Sequence, residues 1–154
     1  VIQLLLHQDA LVKTFVSSLI GDDEQFAPDA TAIGVVNGTK LLGGAVFSDY
    51  RVMTYGNDIR LHGAFQDARW ATRRILGLIL AYPFHQLGCS RLTTITAKNN
   101  KRARAFDERL GFRYVGKLTR GWDGRRDAII YEMLKEDCKW LKYAELTYKT
   151  QGER

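Results

Sequence analysis

Apolar residues recur along this chain with two different periods, and the switches between them mark its elements. Val1 to Leu6 reads as a short first strand. From Asp9 to Ile20 the apolar positions Leu11, Val12, Phe15, Val16, Leu19 and Ile20 follow a helical repeat with one buried face, and Gly21 ends it. Asp22 to Asp29 is a polar loop carrying Pro28. Thr31 to Val36 and Thr39 to Ser48 are β-rich runs around Asn37-Gly38, which predicts a hairpin with a type I′ turn, both turn residues at positive φ. Asp58 to Phe65 alternates: Ile59, Leu61, Gly63 and Phe65 point one way, Asp58, Arg60, His62 and Ala64 the other.

The next segment, Trp70 to Leu87, is apolar almost all round. Its thin small or polar stripe is Arg74, Gly77, Ala81 and His85, so the spacing predicts a helix buried between other elements, with Pro83 kinking it or marking its last turn. Arg91 to Ala97 is a strand. An Asn cap at 99 or 100, apolar positions at Ala103, Phe106 and Leu110, and Gly111 as the stop predict a second helix. Phe112 to Leu118 and Ala128 to Leu134 alternate and form an expected antiparallel pair. Glu136 to about Tyr148 is expected to be a weakly amphipathic last helix, and Thr150 to Arg154 a frayed tail. Five to seven strands with a strand–helix–strand crossover between hairpins make a mixed α/β (α+β) sheet.

A length of 154 residues suits one domain with one core, and 45% hydrophobic content is ordinary for a globular chain. The longest apolar run, Ile75 to Phe84, is about half of the ~20 residues that cross a membrane. The start lacks a Met and the basic-then-apolar pattern of a secretion signal, so the numbering is expected to begin inside a longer or processed chain. Cys89 and Cys138 are far apart and match no metal spacing; reduced thiols in a cytoplasmic protein are the expectation. Three histidines without a His/Cys cluster argue against zinc. A net charge of +6 favours anionic partners: a polyphosphate, nucleic acid or an acidic protein surface.

Two stretches carry candidate chemistry. Asp67-Ala68-Arg69-Trp70-Ala71-Thr72-Arg73-Arg74 is a strand-to-helix turn, and a helix N-terminus offers free N–H groups and a positive dipole end to a phosphate. Arg69, Arg73 and Arg74 add charge there; the plain alternative is that they solvate a helix start. The other stretch is Asn99 to Phe106, the start of the second helix.

Asn100, Ala103, Leu110, Gly111 and Phe112 resemble the Asn-x-x-Ala…Leu-Gly-Phe segment of the GNAT superfamily of N-acetyltransferases. Tyr131-Glu132-Met133-Leu134, a following acidic residue and Trp140 are similar to the branch holding ribosomal-protein N-terminal acetyltransferases and related phage proteins. The resemblance implies a GNAT fold: a mixed, largely antiparallel sheet of six or seven strands, splayed at the parallel pair Asp58–Phe65 and Arg91–Ala97. It also implies acetyl-CoA in that V, with pantetheine along the first strand and pyrophosphate on the following helix. By that resemblance Arg69, Trp70, Ala71, Thr72, Arg73, Arg74, Asn100, Ala103 and Phe106 contact the cofactor, and backbone N–H groups near Ala64 and Phe65 hold the developing oxyanion.

Two departures stand out. The family's Arg/Gln-x-x-Gly-x-Gly signature falls on Asp67, Trp70 and Thr72, and a proton-donating Tyr of many members falls on Asp107, to which that role is not carried over. His62, on the polar face of the strand lining the V and titrating near neutrality, is the expected base for the acceptor amine, directly or through a water; the competing account is that it only fills space and solvent takes the proton. The implied activity is acetyl transfer from acetyl-CoA to a primary amine: a protein N-terminus, a lysine or a small amine. The partners are then acetyl-CoA and that acceptor, in a monomer or homodimer. The alternative is a GNAT-fold module with lost catalysis that binds nucleic acid or an acidic protein through Lys98–Arg104, Lys117–Arg126 and Lys139–Lys149.

Overall fold

A computed structural model describes residues 1–21 and 25–145. The order is β1 (Ile2–Leu5), α1 (Asp9–Ile20), β2 (Thr31–Asn37), β3 (Lys40–Arg51), β4 (Asn57–Phe65), α2 (Arg73–Ala81), β5 (Cys89–Ala97), α3 (Lys101–Leu110), β6 (Arg113–Leu118) and β7 (Ala128–Leu134). All seven strands form one sheet in the order β1-β2-β3-β4-β5-β7-β6. Among the described residues β4 and β5 are its only parallel neighbours. This is the expected mixed, largely antiparallel sheet.

Three local expectations change, and the one for Pro83 as marking the last turn holds. The β2–β3 hairpin forms, but Asn37 pairs with Lys40, so the loop residues are Gly38 and Thr39. Gly38 has φ 62° and neither Asn37 nor Thr39 is positive, which fits a type II′ turn rather than type I′. The buried helix starts at Arg73, not Trp70: Ala68–Trp70 is a separate 3₁₀ turn, and Thr72 caps the helix by accepting from Ile75 N at 3.2 Å. At its far end Tyr82–Gln86 widens into a π turn that contains Pro83, which lacks the N–H a regular α-turn needs. The expected last helix begins instead as a 3₁₀ turn at Lys135–Asp137, turns at residues 139–140 and is helical over 141–145; residues 146–154 lie outside the described part.

The sheet separates two apolar layers. On one face α1 sets Val12 and Val16 against Ala32 and Val46, with Phe26 and Ala64 at the margin. On the other, Ile75, Ile79 and Leu80 of α2 pack with Phe47, Ile59, Leu92, Tyr131 and Met133, and Phe106 and Leu110 of α3 close the side. The C-terminal segment crosses α2 at Gly77, where a Cβ would lie 2.6 Å from Trp140 O, so any larger residue would push the two apart. Cys89 and Cys138 are buried free thiols. Among the described residues no helix is long and apolar enough to cross a membrane, and no group of three metal-binding side chains forms.

Candidate active site

The parallel pair is hydrogen-bonded only from Asn57↔Cys89 to Arg60↔Thr93. Beyond that point β4 and β5 diverge, and a cleft of about 490 Å³ opens between Leu61–Phe65 and Thr94–Ala97. It is roofed by α3 through Asn100, Ala103, Phe106 and Asp107. The β4 backbone there keeps a free edge. Gln66 N donates to Leu42 O, and by strand alternation the N–H of Ala64 also turns to β3, opposite Gly44. The N–H groups of Gly63 and Phe65 therefore face the cleft, so the donor expected at Ala64 is already committed to the sheet.

Aromatic rings line the cleft, one of them, Trp70, at a position where the family signature has glycine. Trp70 is buried, stacks on Phe65 at 3.5 Å between centroids and 12° between planes, and lies 5.8 Å from the Phe106 ring. This stack bridges β4 to α3 and explains why Trp70 leaves the helix: its ring fills the core instead.

His62, Ala64, Phe65, Trp70, Asn100, Ala103 and Phe106 all line the cleft; Arg69, Ala71, Thr72, Arg73 and Arg74 do not. Each arginine of the turn has a protein partner. Arg69 donates to Asp67 Oδ2 from Nε at 2.9 Å and from its terminal nitrogen at 2.6 Å, and that pair holds the Asp67 carboxyl down to about 2. Arg74 reaches Ile2 O at 3.1 Å, and Arg73 lies 5.7 Å over the Tyr143 ring. What remains open is backbone: the first-turn N–H groups of Arg73 and Arg74 have no intrahelical acceptor. Asn100 caps α3 by accepting from Ala103 N at 3.1 Å, and Gly111 closes that helix at φ 108°.

Two titratable side chains face the cleft from opposite faces of the sheet. His62 lies on the α1 face, its Nε2 sharing a 2.9 Å hydrogen bond with Ser48 Oγ and its ring edge-on to Phe26. Burial, helped by the Arg60 charge, lowers its pKa to about 3, so the imidazole is neutral at working pH and a weak base. Asp107 lies on the α2–α3 face, where Oδ2 accepts from Thr96 Oγ1 at 2.8 Å. Burial pushes its carboxyl up to about 6; the Thr96 bond opposes this and the neighbouring Glu108 charge adds to it. From the sequence alone Asp107 is expected to be ionised, unable to donate a proton and repelling an anion. The alternation that places Thr96 toward α3 was its one available signal.

No protein-family model and no curated protein matches the sequence. The fold does match solved structures. Over 91% of this chain and 96% of the other, it superposes on a mutant spermidine N-acetyltransferase SpeG from Vibrio cholerae with TM-score 0.70 and 15% identity. A ribosomal-protein-S5-alanine acetyltransferase from Vibrio fischeri matches with TM-score 0.64 and 14% identity over 90% and 95%. Mycobacterium smegmatis RimJ in complex with CoA-disulfide matches with TM-score 0.59 and 16% identity over 77% of this chain and 60% of that one. The chain likewise spans 64% of the length of a probable acetyltransferase at TM-score 0.55 and 21% identity. The chain thus has the GNAT fold of these acetyltransferases.

Proposed function

We propose that this protein is an N-acetyltransferase that moves an acetyl group from acetyl-CoA to a primary amine. The observation that carries the reading is the parting of β4 and β5 after Arg60 and Thr93, which leaves a strand edge free inside a cleft beside two helix starts. An extended pantetheine arm has amides that match that edge, as any added strand does. The Phe65 N–H, pointing into the cleft, is placed to hold the oxyanion of a tetrahedral intermediate. The open N–H groups of Arg73 and Arg74 are the anion site for the pyrophosphate, and the arginine side chains act by field more than by contact. Contacts from Arg69, Ala71 and Thr72 are supported only by their place in the same turn. Neutral His62 fits as a hydrogen-bond acceptor for the incoming amine; at a pKa of about 3 it does not retain the proton. Much of the acceleration then comes from holding two reactants in one cleft.

The acceptor is a primary amine of unassigned size. The likeness at Tyr131–Leu134 and Trp140 supports the ribosomal-protein and phage-encoded branch. The test is a thermal melt with acetyl-CoA, followed by mass spectrometry on spermidine and on a peptide beginning with alanine. A ligand at about 100 times its Kd adds about 2.7 kcal/mol of stability, so the midpoint rises clearly if the cleft binds acetyl-CoA. An unmoved midpoint with no acetylated amine would overturn the reading. A second reading, a binding module without catalysis, draws on Trp70 standing where a glycine is expected; it predicts binding without turnover.

A further inference from the structure

Asp107 is out of keeping with the other carboxylates around it. Asp67 is tied to Arg69, and Asp58 to Arg91 and Arg51. Among the described residues Asp107 has no cation: its bond from Thr96 is to Oδ2, and Oδ1 takes none while the side chain lines the cleft. None of the charged groups around it bonds to it. Glu108 is its helix neighbour; Arg104 donates to Tyr131 OH and Lys98 O; Arg126 pairs with Asp123; Arg102 and Arg109 line the cleft from the same helix. From α2 only the apolar Leu76, Ile79 and Leu80 reach the cleft, and β5 presents Thr94 and Thr96. A half-buried carboxyl with one free oxygen, turned toward a reaction cleft, has no structural work that a neutral side chain would not do better.

Its location is equally specific. The α2 start, where the anionic end of the acyl donor belongs, lies on the same face of the sheet as Asp107, while His62 lies on the other. Asp107 is thus the titratable group of this pair that shares the sheet face of the α2 start. Resting on the acetyltransferase reading, we propose that the Asp107 carboxyl is the proton shuttle of acyl transfer, taking a proton from the attacking nitrogen and passing it to the leaving sulfur. The amine enters uncharged. Its lone pair forms the C–N bond, and the carbonyl electrons move to oxygen beside the Phe65 N–H. Asp107 Oδ1, ionised, takes one N–H proton. The C=O bond then re-forms, the C–S bond breaks, and the sulfur's electron pair takes the proton from Oδ1. The products are an amide and a thiol, and the carboxylate is regenerated. Nitrogen and sulfur are held on one carbon, so a single carboxyl serves both. A carboxyl near 6 sits between a nitrogen it must relieve and a thiolate it must neutralise.

The experiment measures thiol release from acetyl-CoA, with spermidine and with an alanine-starting peptide, for wild type, Asp107→Asn and Thr96→Val. Asp107→Asn should lose ~10²–10⁴-fold in kcat while keeping the acetyl-CoA-induced rise in melting midpoint. It should also melt no lower than wild type above about pH 6. A carboxyl raised on folding penalises the native state above its folded pKa and not below its unfolded one near 3.9, and Asn removes that penalty. Wild-type kcat/KM should rise with pH through a limb near 6, and Thr96→Val should move that limb up, because the lost hydroxyl stabilised the carboxylate. Asp107→Asn activity within about threefold of wild type, a Thr96→Val limb that stays in place, or a limb that falls above pH 6 would each overturn the shuttle alone. No thiol release by the wild-type protein with either amine would overturn it together with the functional reading.

Discussion

The two ends of the β4–β5 pair are built on opposite rules. At the closed end charge meets charge: Asp58 lies 3.4 Å from Arg91 Nε and 3.6 Å from Arg51 and accepts from Thr93 Oγ1 at 3.3 Å, although Arg91 Nε and Arg60 Nε are buried without a hydrogen bond. Beside them the Asn57 amide donates to Tyr50 OH at 2.8 Å and Leu87 O at 2.9 Å. At the open end the ladder stops, aromatic rings line the wall, and the titratable side chains His62 and Asp107 face the cleft with only a hydroxyl each. Pairing charges fixes geometry but silences their chemistry; leaving them single costs stability and keeps them reactive. One strand pair therefore has a paired end and an open end within the nine residues of β4.

That contrast can be broken from either end. The largest effect should come from Trp70→Ala, which removes the ring that props the open end: about 3–5 kcal/mol of stability, read as a denaturant midpoint. A smaller loss would show that the cleft wall collapses onto the gap. Next comes Asp58→Ala at the closed end, expected to cost about 1.5–3 kcal/mol because half-buried Arg91 loses its carboxylate. If acetyl-CoA affinity also falls in that variant, the two ends are coupled. Asn100→Ala should cost about 1 kcal/mol through the lost α3 cap, by the same measurement.

The smallest effect at neutral pH belongs to His62→Gln, since His62 is neutral in both states above its unfolded pKa of 6.5. As pH falls from 6.5 toward about 3 the unfolded chain takes a proton that the native imidazole refuses, so wild type loses stability and the variant does not. Midpoints measured across that range should diverge; parallel curves would mean His62 is solvated.

Much of the scaffold could be read from local pattern, and the exceptions have physical causes. Gly111 after Leu110 and Asn100 before Ala103 marked α3 correctly, because caps are chemistry between neighbours in the chain. The apolar pattern extends α2 to Trp70, but that ring is a core plug against Phe65 and Phe106 and the helix starts at Arg73. The arginine turn shows the same limit. Arg69 has a partner two residues away, but Arg74 finds Ile2 and Arg73 finds Tyr143 only through the fold. Read from sequence, His62 and Asp107 carry their solution chemistry; burial lowers the pKa of one and raises that of the other. Position on an alternating strand can be read from sequence; the dielectric around it cannot.

The Phe65–Trp70 stack has an optical consequence. Of the three tryptophans, Trp70 and Trp122 line the cleft and Trp140 is occupied with Leu110 O elsewhere. An indole held face to face with another ring emits from a dry, ordered setting, and anything that enters between β4 and β5 must pass beside it. With Trp122 and Trp140 replaced by Phe, the remaining emission becomes a single-site reporter: a shift in its wavelength maximum on adding acetyl-CoA times the filling of the cleft directly, with no label and no knowledge of the acceptor.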